Sequence, residues 1–174
     1  MGRPNVGARR LRVAAVALCL PLVLGGCMSW NDPNSPLPVR AREDTQGWAR
    51  QLTESMARTA GVTLDPGSAE PEFEDCVGEK GEVATDGRYT MSYAVYSSAP
   101  LDQHPEAVRR IRAMLEQQKY TIKGYRETVD GKVAALMDAY QPSDRDLVSV
   151  ETTVGGKFLL FRIGTRCLMP PTPQ

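Results

Sequence analysis

The chain has 174 residues, with 21 basic and 21 acidic side chains, a length that suggests one domain with appended segments. At 41% hydrophobic and 24% charged residues its composition is ordinary, which excludes collagen-like and wholly disordered chains. A formal net charge of zero excludes a nucleic-acid binder that works through a global basic field.

The charge is segregated. Arg3, Arg9, Arg10 and Arg12 lie in the first 26 residues, which carry no acid, leaving 17 basic against 21 acidic residues in the remainder. After Arg12 comes an apolar run, Val13 to Leu24, then Gly25-Gly26-Cys27. A basic start, a short apolar stretch and small residues describe a secretory signal. A membrane-spanning helix is the competing reading. Spanning takes about 20 apolar residues, roughly 17 at the least, whereas Val13 to Gly26 is 14 residues long and contains Pro21. Arg9-Arg10 invites a twin-arginine export reading, but adjacent arginines also occur in general secretory signals, and the route stays open.

Residues 28–38 read MSWNDPNSPLP. Three prolines among polar residues make an extended spacer. From Glu43 to Ala60 the residues Trp48, Leu52, Met56 and Ala60 recur every fourth position, the stripe of an amphipathic helix. Asp44 or Thr45 serves as its cap and Gly61 as its stop. The polar face, with Arg50, Glu54 and Arg58, lacks the strongly cationic character of membrane-surface helices, so core packing is preferred. Asp65-Pro66-Gly67 reads as a turn. Ser68 to Asp75 reads as an acidic loop. Glu70, Glu72, Glu74 and Asp75 invite a calcium site, but no EF-hand spacing surrounds them, and a solvated charge run is the simpler reading.

Arg88 to Ser98 alternates Tyr89, Met91, Tyr93 and Val95 with Thr90, Ser92, Ala94 and Tyr96, a half-buried strand. Pro105 to Gln118 is a helix with Pro105 at its first position, Ala107, Val108, Ile111, Met114 and Leu115 inward, and Arg109, Arg110, Arg112 and Glu116 outward. Two hairpins follow. Tyr120–Val129 and Lys132–Tyr140 flank Asp130-Gly131, although Val133 to Met137 also suits a helix. Leu147–Val154 and Lys157–Arg166 flank Gly155-Gly156. The expected fold is α+β: an antiparallel sheet of about four or five strands with two helices packed on it, in the order α-β-α-β-β-β-β.

Cys19 lies within the apolar signal run. Beyond Cys27 two cysteines remain, Cys76 and Cys167, an even number suited to an oxidising compartment. A disulfide between them is preferred to two free thiols, and a metal pair without a histidine cluster is a poor zinc site. The chain has one histidine, His104, which excludes HExxH sites. It has no GxSxG elbow, no phosphate-binding GxxxxGK[ST] loop and no CxxC pair. A Ser/His dyad would need His104 with Ser97 or Ser98; the simpler reading of His104 is a cap or an exposed loop residue. Tyr89, Tyr93, Tyr120, Tyr125 and Tyr140 fall on expected strands, with Tyr96 on the opposite face of the first. Aromatics are favoured in strands for packing alone. No catalytic residue, cofactor or metal is expected.

Leu24-Gly25-Gly26-Cys27 resembles the bacterial lipobox. With the proline tether, the helix bearing Trp48 and the late cysteine in Thr165-Arg166-Cys167-Leu168, the chain resembles small secreted lipoproteins of actinomycetes, a group of unassigned activity. Its 16 arginines against 5 lysines fit a GC-rich genome of that kind. The resemblance implies a signal peptide over 1–26, lipid attachment at Cys27 by a diacylglyceryl group with palmitate-type chains, and a tether over 27–42. A single domain over 43–170 and a disordered tail over 171–174 complete the chain. Two acyl chains give stable membrane anchoring where one does not. The expected location is the extracytoplasmic side of the cell membrane. The expected role is non-catalytic binding of a protein or small ligand, without nucleic acid; the alternative is a small envelope hydrolase.

Overall fold

The computed structural model describes residues 36–172; the signal segment, Cys27, most of the tether and the last two residues lie outside the described part. The elements are α1 (Arg42–Ala60), β1 (Leu64–Asp75), β2 (Tyr89–Ser97), α2 (His104–Gln117), β3 (Thr121–Val129), β4 (Lys132–Tyr140), β5 (Leu147–Thr152) and β6 (Leu159–Gly164). Six strands form one sheet in the order β1-β2-β6-β5-β4-β3, every pair antiparallel. The class is α+β as expected, with six strands rather than four or five.

The additional strand is β1, which occupies the stretch expected to be a turn and an acidic loop. It pairs with β2 from Leu64↔Ser97 to Asp75↔Tyr89, with an irregularity between Asp65 and Glu70 at the Pro66-Gly67 kink. Two prolines are tolerated because β1 is an edge strand, where a missing N–H breaks no second ladder. Glu70, Glu72, Glu74 and Asp75 stay exposed, so the charge run is solvated as read, but on a strand. Phe73 fastens the edge, meeting Tyr89 edge-on with ring centroids 5.7 Å apart.

β4 is a strand over Lys132–Tyr140, which settles the helix alternative. Residues Asp130 and Gly131 both have positive φ, 50° and 74°, the geometry that lets a two-residue turn follow the twist of its strands. At Gly155-Gly156 the values are 84° and 71°. The strand β6 then returns beside β2, so the last four strands form a meander whose final member closes onto the first hairpin.

Both helices lie on one face. α1 packs on β1, β2 and β6, and α2 on β3, β4 and β5. The core between them includes Met56, Tyr93, Ile111, Leu115, Met137, Val150 and Phe161. In α1 the buried positions are Thr45, Ala49, Thr53, Met56, Ala57 and Ala60. The stripe is thus rotated by about one position, leaving Trp48 and Leu52 half-buried at its margin. Threonines lie inside because their hydroxyls are satisfied. Thr45 Oγ1 lies 2.8 Å from Ala41 O and 2.9 Å from Tyr89 Oη, and Thr53 Oγ1 donates back to Arg50 O and Ala49 O. The N-cap is Ala41, without a side-chain bond, and Gly61 ends the helix in the left-handed conformation at φ 75°.

The start of the described chain is fixed to its end. Met169 N–H donates to Pro38 O and Arg40 N–H to Met169 O, both at 2.9 Å, so the folded unit takes in residues 38–41 of the segment read as tether. Cys76 and Cys167 form a disulfide with Cα atoms 5.9 Å apart. Cys76 follows β1 and Cys167 follows β6, with β2 between those strands in the sheet. The bridge ties the edge strand to the central one across the start of β2. Replacing either cysteine by serine lowers unfolding free energy by about 2–5 kcal/mol. Denaturant titration checks this, and mass spectrometry of unreduced protein checks for loss of two hydrogens at this pair.

Candidate functional site

Among the described residues, the second face of the sheet has no helix on it. Period-two alternation sends one side chain to the helices and the next outward, so register identifies the outward set. Along β2 it is Thr90, Ser92, Ala94 and Tyr96; across β6, Leu160, Arg162 and Gly164; across β5, Leu147, Ser149 and Glu151; across β4, Leu136, Asp138 and Tyr140. On the β1 edge Glu70, Glu72 and Glu74 share this face. On the β3 edge it carries Gly124 and Arg126.

The face is graded in charge, acidic at β1, small and neutral through Ser92, Ala94 and Gly164, and mixed beyond. Arg162 lies 3.8 Å from Glu151. Lys123, displaced by the irregularity between Ile122 and Gly124, places its ammonium 5.7 Å from the Tyr140 ring centroid. In the mixed zone a recess of about 280 Å3 is lined by Lys123, Asp138, Leu147, Ser149, Arg162 and Gly164. Its depth comes from small residues. Gly124 keeps the same area open: a Cβ there would stand 2.9 Å from Asp138 Oδ2 and would make that carboxylate turn aside. Leu147, at the mouth, is 56% exposed. An apolar floor with a few charged groups around it is the general character of ligand recesses.

His104 is elsewhere. It was expected at an exposed loop or as a cap; instead it is the first residue of α2, fully buried, without a capping bond. Its Nε2 lies 2.9 Å from Ala99 O and its Nδ1 3.0 Å from Thr152 Oγ1. A carbonyl only accepts, so Nε2 carries hydrogen and the ring ties the β2–α2 connection to the end of β5. Ser97 is also buried and accepts from Ala99 N–H. Neither serine forms a hydrogen-bonded pair with His104, and both imidazole nitrogens serve the fold. Sequence could not reveal this, because the partners are a carbonyl five residues back and a threonine 48 residues on.

The tyrosines divide as their positions imply. Tyr89 and Tyr93 are buried. Tyr125 lies under the Arg112 guanidinium, 4.7 Å from its ring centroid, and donates to Glu127 Oε1 at 2.7 Å. Tyr96 and Tyr140 belong to the open face. Among the described residues no group of three or more His, Cys, Asp or Glu is placed to hold a metal ion, and no helix is long and apolar enough to cross a membrane. No family model, curated protein or solved structure matches the chain.

One carboxylate is unusual. Asp146, between β4 and β5, is 2% exposed, and burial lifts its pKa from 3.8 to about 6, against the pull of Arg40 and Arg166 and with a push from Asp144. Arg40 stacks 5.3 Å from the Trp48 ring centroid, and its Nη1 is buried without a hydrogen-bond partner among the described residues. Burial, then Asp146 and Asp144, raises Tyr120 to about 12. A raised carboxyl pKa means that the folded chain binds more protons than the unfolded chain between about pH 4 and 6. Stability from this group therefore falls as pH rises through that window, by on the order of 1–3 kcal/mol. Asp86, held at about 2 by Arg88, works in the opposite sense at lower pH. Asp146→Asn is expected to be more stable than the parent at pH 7, with the advantage shrinking toward pH 4. Paired denaturant titrations at the two pH values measure that difference directly and cancel the other carboxylates.

Proposed function

We propose that the protein is an envelope-anchored lipoprotein, held by acylated Cys27 at the extracytoplasmic side of the cell membrane, whose domain binds a ligand or protein through its open sheet face. The observation that carries the binding reading is that two helices cover one face of a six-stranded sheet while the other, with its recess at Ser149 and Arg162, carries no helix among the described residues. Anchoring rests on the Leu24-Gly25-Gly26-Cys27 lipobox after a short apolar run, and on likeness in pattern to small actinomycete lipoproteins. The Cys76–Cys167 disulfide suits an exported chain. The segment Pro38–Arg40 is bonded to Met169, so the chain enters the fold at one end of the sheet. The hydrolase alternative draws no support from His104, whose two ring nitrogens are both engaged.

Two readouts on one strain test this. Cys27→Ala moves the protein out of the detergent phase and removes the acyl mass from the N-terminal peptide; a variant that stays in the membrane fraction contradicts the anchor. A photo-cross-linking residue at Ser149 yields adducts in intact cells, while one at the solvent-facing Gln51 of α1 does not. Equal yields from both positions contradict a binding face on the sheet.

A further inference from the structure

At the end of the sheet away from the tether the open face finishes in a second recess of about 400 Å3. One wall is aromatic: Tyr96, at the end of β2, and Phe158, just before β6, lie with ring centroids 5.7 Å apart and planes at 60°. Asp65 and Ser68 from the kink of β1 face them, and Val154 and Lys157 from the Gly155-Gly156 turn complete the rim. Val154 is 104% exposed and Phe158 37%. Single exposed apolar residues need no explanation; here two of them line one recess at the extremity of the fold.

The backbone around this recess is already paired. Tyr96 N–H donates to Ser68 Oγ at 3.0 Å and Gly67 N–H to Asp65 Oδ1 at 2.9 Å. Thr153 N–H donates to Phe158 O at 2.9 Å and Phe158 N–H to Thr153 Oγ1 at 3.1 Å. An extended peptide that adds to a sheet needs main-chain partners, and these groups do not supply them. What is left is side-chain chemistry. The second oxygen of Asp65 only accepts, the Lys157 ammonium only donates, and the Tyr96 hydroxyl does both. The rim holds one anion and one cation, so it exerts no net field that would select a charged ligand. A ring with an apolar C–H face and neighbouring hydroxyls on its edge satisfies all of this. Such a ring can lay its face on Tyr96 with hydroxyls toward Asp65 and toward Lys157, whose ammonium lies 6.0 Å from the Phe158 ring centroid.

We infer that the recess between Tyr96, Phe158, Asp65 and Lys157 binds a sugar ring of a neutral saccharide. The inference rests on the reading of the domain as a binding module and gives a ligand class to this second recess. The test uses the full-length, 15N-labelled chain in detergent, titrated separately with cellobiose, N,N′-diacetylchitobiose and tetra-alanine. With at least one disaccharide, amide shifts are expected at Ser68, Tyr96, Gly155, Gly156 and Phe158. Asp65→Asn and Lys157→Ala each weaken that binding by about tenfold, and Gln51→Ala, on the exposed side of α1, leaves it unchanged. No shifts at the recess with either sugar, or the same shifts with tetra-alanine, overturn the assignment. If cross-links from Ser149 persist in that case, the saccharide assignment alone falls; if they are lost too, the binding-module reading falls with it.

Discussion

Two helices cover one side of a six-stranded sheet, and the rest of the structure follows from that constraint. A strand with one dry face has to alternate strictly, because a slip of one residue would turn its whole apolar set into water. Strand β2 obeys this through its length, with Tyr89, Met91, Tyr93, Val95 and Ser97 buried and every residue between them partly exposed. In the centre, Phe161 stands between Val95 and Val150 in register, at the position where cover from α1 passes to cover from α2. A side chain of that size fully enclosed contributes several kcal/mol, since its removal leaves both an apolar loss and a void. The open face is the necessary counterpart of this economy of helices. It has to remain compatible with water, and its Glu, Arg, Ser and Lys residues keep it so.

Topology adds a second constraint. The strand β6 closes onto β2 rather than extending an edge, so the C-terminal segment leaves the sheet beside the point where the chain enters it. There Met169 bonds to Pro38 and Arg40, and the disulfide joins Cys76 to Cys167. Entry, exit and covalent bridge therefore share one end of the molecule. On the lipoprotein proposal this is the end nearest the membrane. The opposite end holds the Gly155-Gly156 turn, Tyr96 and Phe158. Asp146 and Arg40 mark the cost of the closed end, where a carboxylate is buried and one guanidinium nitrogen, Arg40 Nη1, is taken from water without a partner among the described residues, a costly arrangement unless every group is satisfied.

Much of this was legible in the residues. The alternation of β2, the periodicity of α2 and the Asp130-Gly131 and Gly155-Gly156 turns are local signals, and the structure follows them within a residue or two, except that β5 and β6 end short of the second turn. Cys76 and Cys167 were legible as a pair because no other described residue competes for either. What was missed depends on contacts distant in sequence. Strand β1 reads as a loop because Pro66, Gly67, Pro71 and four acids all disfavour a strand; pairing with β2 and the Phe73–Tyr89 contact override that preference. The inward stripe of α1 was misplaced by one position because Thr45 and Thr53 count as polar until their hydroxyls are seen to bond back to the helix. His104 was misread because nothing local predicts that Thr152 meets it. The candidate site was the least legible part: which residues share the open face depends on strand order, and the recess at Ser149 depends on Gly164 lying beside Leu147.

The fold and the proposed binding face both depend on the sheet having one dry face and one wet face. Adjacent residues of β5 test it most directly. Ser149→Gln and Val150→Gln introduce the same amide one residue apart, and denaturant titration of each against the parent reads the difference. Ser149→Gln is expected to change stability by less than about 1 kcal/mol, as for most surface substitutions. Val150→Gln, which buries an unpaired amide and displaces core packing, is expected to cost about 3 kcal/mol or more. Equal costs at the two positions would contradict the one-sided sheet, and with it the open face as the place where this protein binds.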